Sequence, residues 1–242
     1  MAEQRTAIVT GGGKRVGEAI VRALLDDGWT VVGHVHHDAD TVPAGAIKAV
    51  AELADADCAT RIFAAADGLP PVRLLVNNAA RFALDQLGSA SAAEFDAHLA
   101  VNARAPMLLI DEFAARKRDG DALVVNMLDS KLAAPNPDFL SYTISKYALA
   151  GLGEVAARAL AAKGIRVNAI APALMLPSGE QDEANFAAVH ALTPLNRGIE
   201  LADVVAALRY LIDSATITGQ TLVLDGGQRF MSLPRDVQFL EK

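Results

Sequence analysis

The sequence has little of what marks secreted, membrane or nucleic-acid-binding proteins. It has one cysteine, Cys58, in 242 residues, so no disulfide can form within the chain and a reducing, cytoplasmic setting is expected. No apolar run reaches the roughly 18 residues that a membrane span needs, so no membrane partner is expected. The 22 basic residues are outnumbered by 29 acidic ones, which argues against nucleic acid as a partner. The 52% hydrophobic content favours a folded globular chain.

Short apolar, β-rich runs alternate with segments of helical periodicity along the whole chain. Strands are predicted at residues 5–10, 29–36, 46–53, 72–78, 122–128, 165–172 and 221–227. Helices are predicted at residues 16–28, 54–66, 91–118, 141–163 and 201–212. This alternation predicts one α/β domain over residues 1–242, a Rossmann fold whose doubly wound, seven-stranded parallel sheet carries helices on both faces.

Two connections are irregular. Residues 38–45 are too few for an ordinary crossover helix, so a stub or a bare loop is expected there. Residues 173–193 follow the carboxyl end of a predicted strand and contain Pro, Ser and Gly. A doubly wound sheet binds its ligand at that edge, so this segment is predicted to be a substrate lid.

The loop TGGGKRVG, residues 10–17, joins the first predicted strand to the first helix. Backbone N–H groups at a helix N-terminus attract anions, and glycine lets a phosphate approach the backbone closely. A glycine cluster also makes ordinary turns, but its place between a strand and a helix favours a dinucleotide site. The residues predicted to contact this cofactor are Thr10, Gly11, Lys14, Arg15, Val16 and Gly17.

The cations in and near this loop favour NADPH over NADH. Lys14 and Arg15 lie inside the loop, and His36 and His37 lie where an adenine ribose is expected. Asp38 argues the other way, because an acid about 20 residues beyond the glycines is typical of NAD sites. NADPH is therefore the predicted cofactor and NADH the alternative. The histidine cluster offers no fixed third ligand, so no metal site is predicted.

Tyr142 and Lys146 are four residues apart on a predicted helix and so share one face. An ammonium near a phenol favours the phenolate, so Lys146 is expected to lower the pKa of Tyr142 toward working pH. A tyrosine of this kind can donate a proton to a group that is being reduced.

These motifs together resemble the short-chain dehydrogenase/reductase family. The resemblance rests on the glycine loop, VNNAA at 76–80, NARAP at 102–106, YTISK at 142–146, RVNAIAP at 166–172 and TGQTLVLDGG at 218–227. It implies a water-mediated proton relay through Asn102 and a ribose contact from Lys146. It also implies cofactor contacts from Asn78, Ala79 and Pro172. The alternative reading of Asn102 is a residue that satisfies a helix kink near Pro106.

The resemblance also implies a homo-oligomer. Members of the family usually form tetramers through two long helices, here the segments 91–118 and 141–163. The apolar side chains of the tail 231–242 are predicted to dock on a neighbouring subunit.

Two departures from the family pattern narrow the resemblance to pteridine reductases and dihydromonapterin reductases. Arg15 stands where the family has its third glycine, and Asp129 stands where it has a serine, thirteen residues before the tyrosine. In this reading Asp129 binds or protonates a pterin, Phe82 stacks on its ring, and Arg15 contacts both cofactor phosphate and pterin oxygen. Burial is expected to raise the pKa of Asp129, which suits proton delivery.

Two other functions remain open at this stage. The chain could be a carbonyl or 3-oxoacyl reductase in which Ser130 or Ser141 does the work of the family's serine, although Ser141 is better placed to cap a helix. It could also be a catalytically silent dinucleotide-binding sensor, against which the presence of Asn102, Tyr142 and Lys146 argues.

Overall fold

The computed structural model describes residues 4–116, 120–177, 181 and 183–239. Within them, seven parallel strands form one sheet in the order β3-β2-β1-β4-β5-β6-β7. The strands are β1 (Thr6–Val9), β2 (Thr30–Val35), β3 (Ile47–Val50), β4 (Val72–Asn77), β5 (Ala122–Met127), β6 (Ile165–Pro172) and β7 (Thr221–Leu224). The predicted fold class is confirmed.

Helices cover both faces of the sheet. They are α1 (Arg15–Asp26), α2 (Cys58–Ala64), α3 (Ala92–Leu99), α4 (Ala105–Ala115), α5 (Leu140–Leu160), α6 (Glu183–His190) and α7 (Leu201–Asp213). Among the described helices, none combines the length and apolar character that a membrane crossing requires.

The core has two layers because the central strands are buried on both sides. In β1, Ile8 packs into the layer under α2, α4 and α5, whereas Ala7 and Val9 pack into the layer under α1 and α7. Phe63 and Phe113 are fully buried in the first layer. Alternate side chains of one apolar run therefore anchor helices on opposite faces.

The strand order reverses beside β1, which pairs with β2 on one side and with β4 on the other. Loops after the carboxyl ends of these strands diverge and leave a crevice, the usual ligand site of such sheets. The crossover between β2 and β3 contains no helix, as the length of residues 38–45 predicted.

The long helix predicted at residues 91–118 is interrupted. A π-helical turn, Ala100–Arg104, separates α3 from α4, and α4 ends at Ala115. The predicted end at residue 118 lies outside the described residues. The helix predicted at 54–66 is also shorter, because α2 occupies only Cys58–Ala64.

The start of α5 is held by a distant carboxylate. Ser141 was predicted to cap this helix, but it lies inside it, and Phe139 is the N-cap with a left-handed φ of 57°. The buried Asp85 takes the capping role, since its carboxylate accepts a 2.9 Å hydrogen bond from the Ser141 backbone N–H. The Asp85 carbonyl accepts another, 3.0 Å long, from the N–H of Leu140. The loop after β4 is thereby fastened to the helix that carries Tyr142.

Candidate active site

A cavity of about 1030 Å³ opens at the carboxyl ends of the strands. At one end it is lined by the glycine loop, and at the other by Asp129, Tyr142 and Phe82. The predicted site residues that line it are Gly11, Lys14, Arg15, Val16, Gly17, His36, Asn78, Ala79, Phe82, Asp129 and Tyr142. Thr10, His37, Asn102, Lys146 and Pro172 are not part of this lining.

The glycine loop is folded too tightly for side chains at two positions. Gly11 has a φ of +65°, and a Cβ on Gly17 would lie 2.0 Å from the Gly11 carbonyl oxygen. Both glycines line the cavity beside the N-terminus of α1, where backbone N–H groups suit a pyrophosphate. The loop fits a dinucleotide on this ground.

Thr10 and Asn78 join the loop to the end of β4. The Thr10 hydroxyl oxygen accepts hydrogen bonds of 2.9 and 3.0 Å from the backbone N–H groups of Asn78 and Ala79. The Asn78 side-chain amide donates to the Thr10 carbonyl at 2.8 Å. Thr10 thus supports the cofactor wall from behind, whereas Asn78 and Ala79 are part of it.

Arg15 keeps a glycine-like backbone at the position where the family has glycine. Its φ is +53°, a left-handed conformation that costs a residue with a Cβ on the order of 1 kcal/mol. Its guanidinium donates a 3.0 Å hydrogen bond to the carbonyl of Pro177 in the predicted lid. The strained backbone places a cation between the phosphate loop and the lid.

His34 supports the loop through a neutral imidazole. Its Nδ1 accepts a 3.2 Å hydrogen bond from the N–H of Gly11, and its Nε2 lies 3.0 Å from the Ala51 carbonyl, to which it donates. Burial is the main cause that lowers the pKa of His34. The sequence could not show this role, because the partners lie on two other segments.

The end of the cavity that is predicted to hold the adenosine carries both basic and acidic side chains. His36 hydrogen-bonds to the Glu52 carboxylate, and Lys14 and Asp40 line the same end. Asp38, which argued for NADH, forms a 3.2 Å ion pair with Lys48 and does not line the cavity. Across the described parts of the chain, no three His, Cys, Asp or Glu side chains are grouped to hold a metal ion.

Three predicted catalytic residues meet at the other end. The Tyr142 hydroxyl donates a 2.9 Å hydrogen bond to the Asp129 carboxylate, whose second oxygen accepts a 2.8 Å bond from the N–H of Lys131. The Lys146 ammonium donates to the Met127 carbonyl at 2.6 Å and lies 5.6 Å from the centre of the Tyr142 ring.

The pKa of Tyr142 differs in direction from the prediction. Burial, and then the neighbouring Asp129 carboxylate, raise the pKa of Tyr142 well above its usual value, so Lys146 does not lower it here. Burial lowers the pKa of Lys146 to about 8. Burial also raises the pKa of Asp129, as predicted. Hydroxyl and carboxylate thus form a buried pair that favours retaining protons.

Asn102 lies in the π-helical turn and bridges two segments. Its side-chain amide donates to the Ser145 hydroxyl and to the Arg81 carbonyl, both at 2.9 Å. Its oxygen accepts a 2.7 Å bond from the N–H of Arg81. These contacts tie the π-helical turn to the loop after β4 and to α5, and the kink-satisfying role stays a prediction. The water relay with Lys146 stays a prediction, because Asn102 lies behind the cavity wall.

The two serines that could replace the family's serine are placed differently. The Ser141 hydroxyl donates to the Asp85 carboxylate, away from the cavity lining. Ser130 is buried and does line the cavity, but the oxygen that receives the Tyr142 hydroxyl belongs to Asp129.

Aromatic rings form the wall next to this pair. Phe82 stacks on Phe139 with ring centres 4.3 Å apart, and its ring meets the Tyr142 ring edge to face at 4.7 Å. The Phe82 side chain is half-exposed and lines the cavity. With one ring face covered by Phe139, the opposite face is the one that a flat ligand can stack on.

Sequence reasoning missed part of the lining. The end of β3 contributes Ala51, Glu52 and Leu53, and the chain near the C-terminus contributes Leu233, Asp236, Val237 and Gln238. The described part of the tail packs on its own chain, and its docking on a neighbouring subunit stays a prediction. Residues 240–242 of that tail, and residues 178–180 and 182 of the predicted lid, lie outside the described residues. The rest of the lid lines the cavity through residues 173–176 and continues into α6.

Fold and site together define an oxidoreductase of the Rossmann type. Residues 13–229 match the family model described as enoyl-(acyl carrier protein) reductase. The chain belongs to the short-chain dehydrogenase/reductase family, as predicted from its motifs.

Similar proteins include reductases of pterins and of sugars. The solved structure of FolM alternative dihydrofolate reductase 1 from Brucella canis, complexed with NADP, is 38% identical, with a TM-score of 0.89 over 95% of this chain and 96% of that one. Pteridine reductase 1 from Leishmania tarentolae is 31% identical over 91% of this chain and 95% of its own. L-xylulose reductase from Bos taurus is 32% identical over 92% and 96%.

Replacing His34 with Gln tests whether the His34 imidazole is neutral in the folded protein. Because its pKa is lowered in the folded protein, His34 contributes stability above the usual histidine pKa of about 6.5, and this stability is lost as pH falls through the lowered value. The free energy of unfolding, measured by urea denaturation between pH 7 and 5, should therefore fall more steeply for the wild type than for His34→Gln. Equal slopes would show that His34 does not titrate in this way.

Replacing Arg15 with Gly separates the contribution of the guanidinium from the cost of the strained backbone. Glycine relieves the left-handed backbone but adds freedom to the unfolded chain, so stability should stay within about 1 kcal/mol of the wild type. The KM for NADPH should rise about tenfold or more, because a charge-assisted contact is lost.

The matched control is Arg22→Ala on the exposed face of α1, which should leave the KM for NADPH unchanged. An unchanged KM in Arg15→Gly would remove Arg15 from the site.

Proposed function

We propose that the protein reduces a dihydropterin with NADPH. The cofactor prediction is confirmed, since three solved neighbours are complexes with NADP or NADPH. The observation that carries the substrate proposal is the 2.9 Å hydrogen bond from the Tyr142 hydroxyl to the Asp129 carboxylate. It places an acid where a carbonyl reductase of this family has a neutral hydroxyl.

The cofactor would lie at the end of the cavity that the glycine loop lines. Its pyrophosphate would face the backbone N–H groups at the start of α1, with Lys14 and Arg15 as cations. Lys146 would contact the nicotinamide ribose. When bound, the nicotinamide supplies the hydride for the reduction.

Reducing a C=N bond adds a hydride to carbon and a proton to nitrogen. The Tyr142 and Asp129 pair would supply this proton, because the raised pKa values favour the protonated forms, which carry a proton that the ring nitrogen can take as the hydride adds to carbon. Solvent would then reprotonate the pair. Where Asp129 is ionised, it can instead accept hydrogen bonds from the N–H groups of a pterin edge.

An ionised acid is a poor partner for a carbonyl substrate. Reducing a ketone develops negative charge on oxygen, and a carboxylate beside it would repel that charge. The exposed face of Phe82 offers a flat heterocycle a stacking surface instead. Arg15, at the boundary between phosphate loop and lid, is placed to reach both cofactor and pterin.

A carbonyl reductase is the second candidate, favoured by two observations. L-xylulose reductase from Bos taurus is 32% identical over almost the full length, and Ser130 lines the cavity next to Asp129. In this alternative Ser130 holds the substrate oxygen. A homotetramer and a cytoplasmic location stay predictions. Membership of an oxidoreductase family and the tyrosine and lysine pair both argue against the silent-sensor alternative.

Substrate comparison tests the proposed function. NADPH oxidation by the purified protein should be measured with dihydrobiopterin, dihydromonapterin and dihydrofolate, and against an acetoacetyl thioester and L-xylulose. Turnover of a pterin without turnover of the carbonyl compounds is expected. Turnover of carbonyl compounds alone would replace the proposal with the second candidate.

Replacing Tyr142 with Phe should lower kcat for the pterin by about 10²–10⁴-fold, because the donating hydroxyl is lost. Tyr147→Phe is the matched control, since that hydroxyl donates to the Leu132 carbonyl on the exposed side of the same helix. The control should stay within about twofold of the wild type. Equal kcat values for the two variants would exclude Tyr142 as the donor.

A further inference from the structure

The chain near its C-terminus supplies a wall of the substrate end of the cavity. We call residues 233–239 the C-terminal segment. Leu233, Asp236, Val237 and Gln238 line the same cavity as Asp129 and Tyr142. None of these four residues belongs to a motif on which the family resemblance rests.

An ion pair between the buried Asp138 carboxylate and the half-exposed Arg235 guanidinium holds this segment. Both oxygens of the Asp138 carboxylate accept from the Arg235 guanidinium, at 2.7 and 3.1 Å. One of them also accepts a 2.9 Å bond from the N–H of Asp236. The Asp138 side chain is 1% exposed, and the Arg235 guanidinium is the main cause that lowers its pKa. Without Arg235, a buried carboxylate would lose its counter-charge, which is costly.

The ion pair connects to the catalytic acid through Lys131. The Lys131 ammonium donates to the Asp138 carbonyl at 2.6 Å and to the Asp236 carboxylate at 3.3 Å. The backbone N–H of Lys131 donates to Asp129. The segment, the ion pair and Asp129 are thus joined by consecutive hydrogen bonds.

The ion pair also connects to the stacking wall. Phe239 stacks on Phe139 with ring centres 5.9 Å apart, and Phe139 stacks on Phe82. The Arg235 guanidinium lies 4.9 Å from the centre of the Phe239 ring. The rings of Phe239, Phe139 and Phe82 therefore form a continuous stack, which runs from the ion pair to the cavity lining.

We propose that Arg235 and Asp138 are positioning residues, which hold the C-terminal segment as the substrate-side wall and fix Asp129 and Phe82 for the substrate. The part of this inference that concerns the substrate rests on the proposed function. Neither residue lines the cavity, so each acts through the others. The glycine loop lies at the opposite end of the cavity, so cofactor binding should be independent of the ion pair.

The test replaces Arg235 with Gln in the full chain. The KM for the pterin should rise about tenfold or more, since small displacements of positioned groups have large effects, while the KM for NADPH stays within about twofold. Arg235→Lys should be intermediate, because lysine keeps the charge and loses the two-pronged contact.

Arg209→Gln is the matched control. Arg209 makes the same two-pronged contact with Asp27, at 2.8 and 2.9 Å, but joins α7 to the end of α1. This variant should change neither KM. If Arg235→Gln behaves like this control, or raises both KM values equally, the inference is overturned.

Amide hydrogen exchange gives a readout that needs no turnover. Arg235→Gln should speed exchange in peptides from residues 129–139, while peptides of the glycine loop exchange at the wild-type rate. Unchanged exchange in residues 129–139 would contradict the inference whatever the substrate.

Failure of the proposed function is a separate outcome. If the wild type reduces only carbonyl compounds, the pterin proposal fails, and the same KM comparison on that substrate decides the role of the ion pair. If the wild type reduces none of the compounds, the exchange measurement decides it alone.

Discussion

The site depends on one buried hydrogen bond, from the Tyr142 hydroxyl to the Asp129 carboxylate. Burial penalises the charged form of both groups, and the nearby Asp129 carboxylate further raises the cost of ionising the tyrosine. The result is a proton-retaining pair, not the lowered tyrosine pKa that a neighbouring lysine alone would produce. This chemistry suits the protonation of a ring nitrogen better than the stabilisation of an oxyanion.

The surrounding structure serves this pair from three sides. Asp85 caps the helix that presents Tyr142, so the loop after β4 fixes the position of that helix. Asp129 is the N-cap of the 3₁₀ turn after β5, Ser130–Ala133, and its carboxylate accepts a hydrogen bond from that turn. On the remaining side, the ion pair of Asp138 and Arg235 fastens the C-terminal segment, which lines the cavity. The hydrogen bonds of Asp85 and Asp138 thus join distant parts of the chain around Asp129 and Tyr142. The local sequence does not reveal these contacts.

Much of this could be predicted from the sequence, because strand alternation and helical spacing are local signals. The resemblance to the family, which places a serine thirteen residues before the tyrosine, correctly brought Asp129 and Tyr142 together, and the strand-to-helix pattern placed the glycine loop before α1. The contacts of His34, Asp85 and Arg235 could not be predicted, since each joins residues more than 15 positions apart. The predicted direction of the Tyr142 pKa shift was wrong, because the effect of burial outweighs the effect of Lys146. Sequence spacing does not reveal that burial.

The pH dependence of kcat/KM for the pterin, compared between the wild type and Asp129→Asn, tests the central claim most directly. If Asp129 delivers or shares the proton, wild-type activity should fall as pH rises through its raised pKa. The asparagine variant, which cannot titrate, should be slower and lack that fall. The same alkaline fall in both proteins would contradict the account.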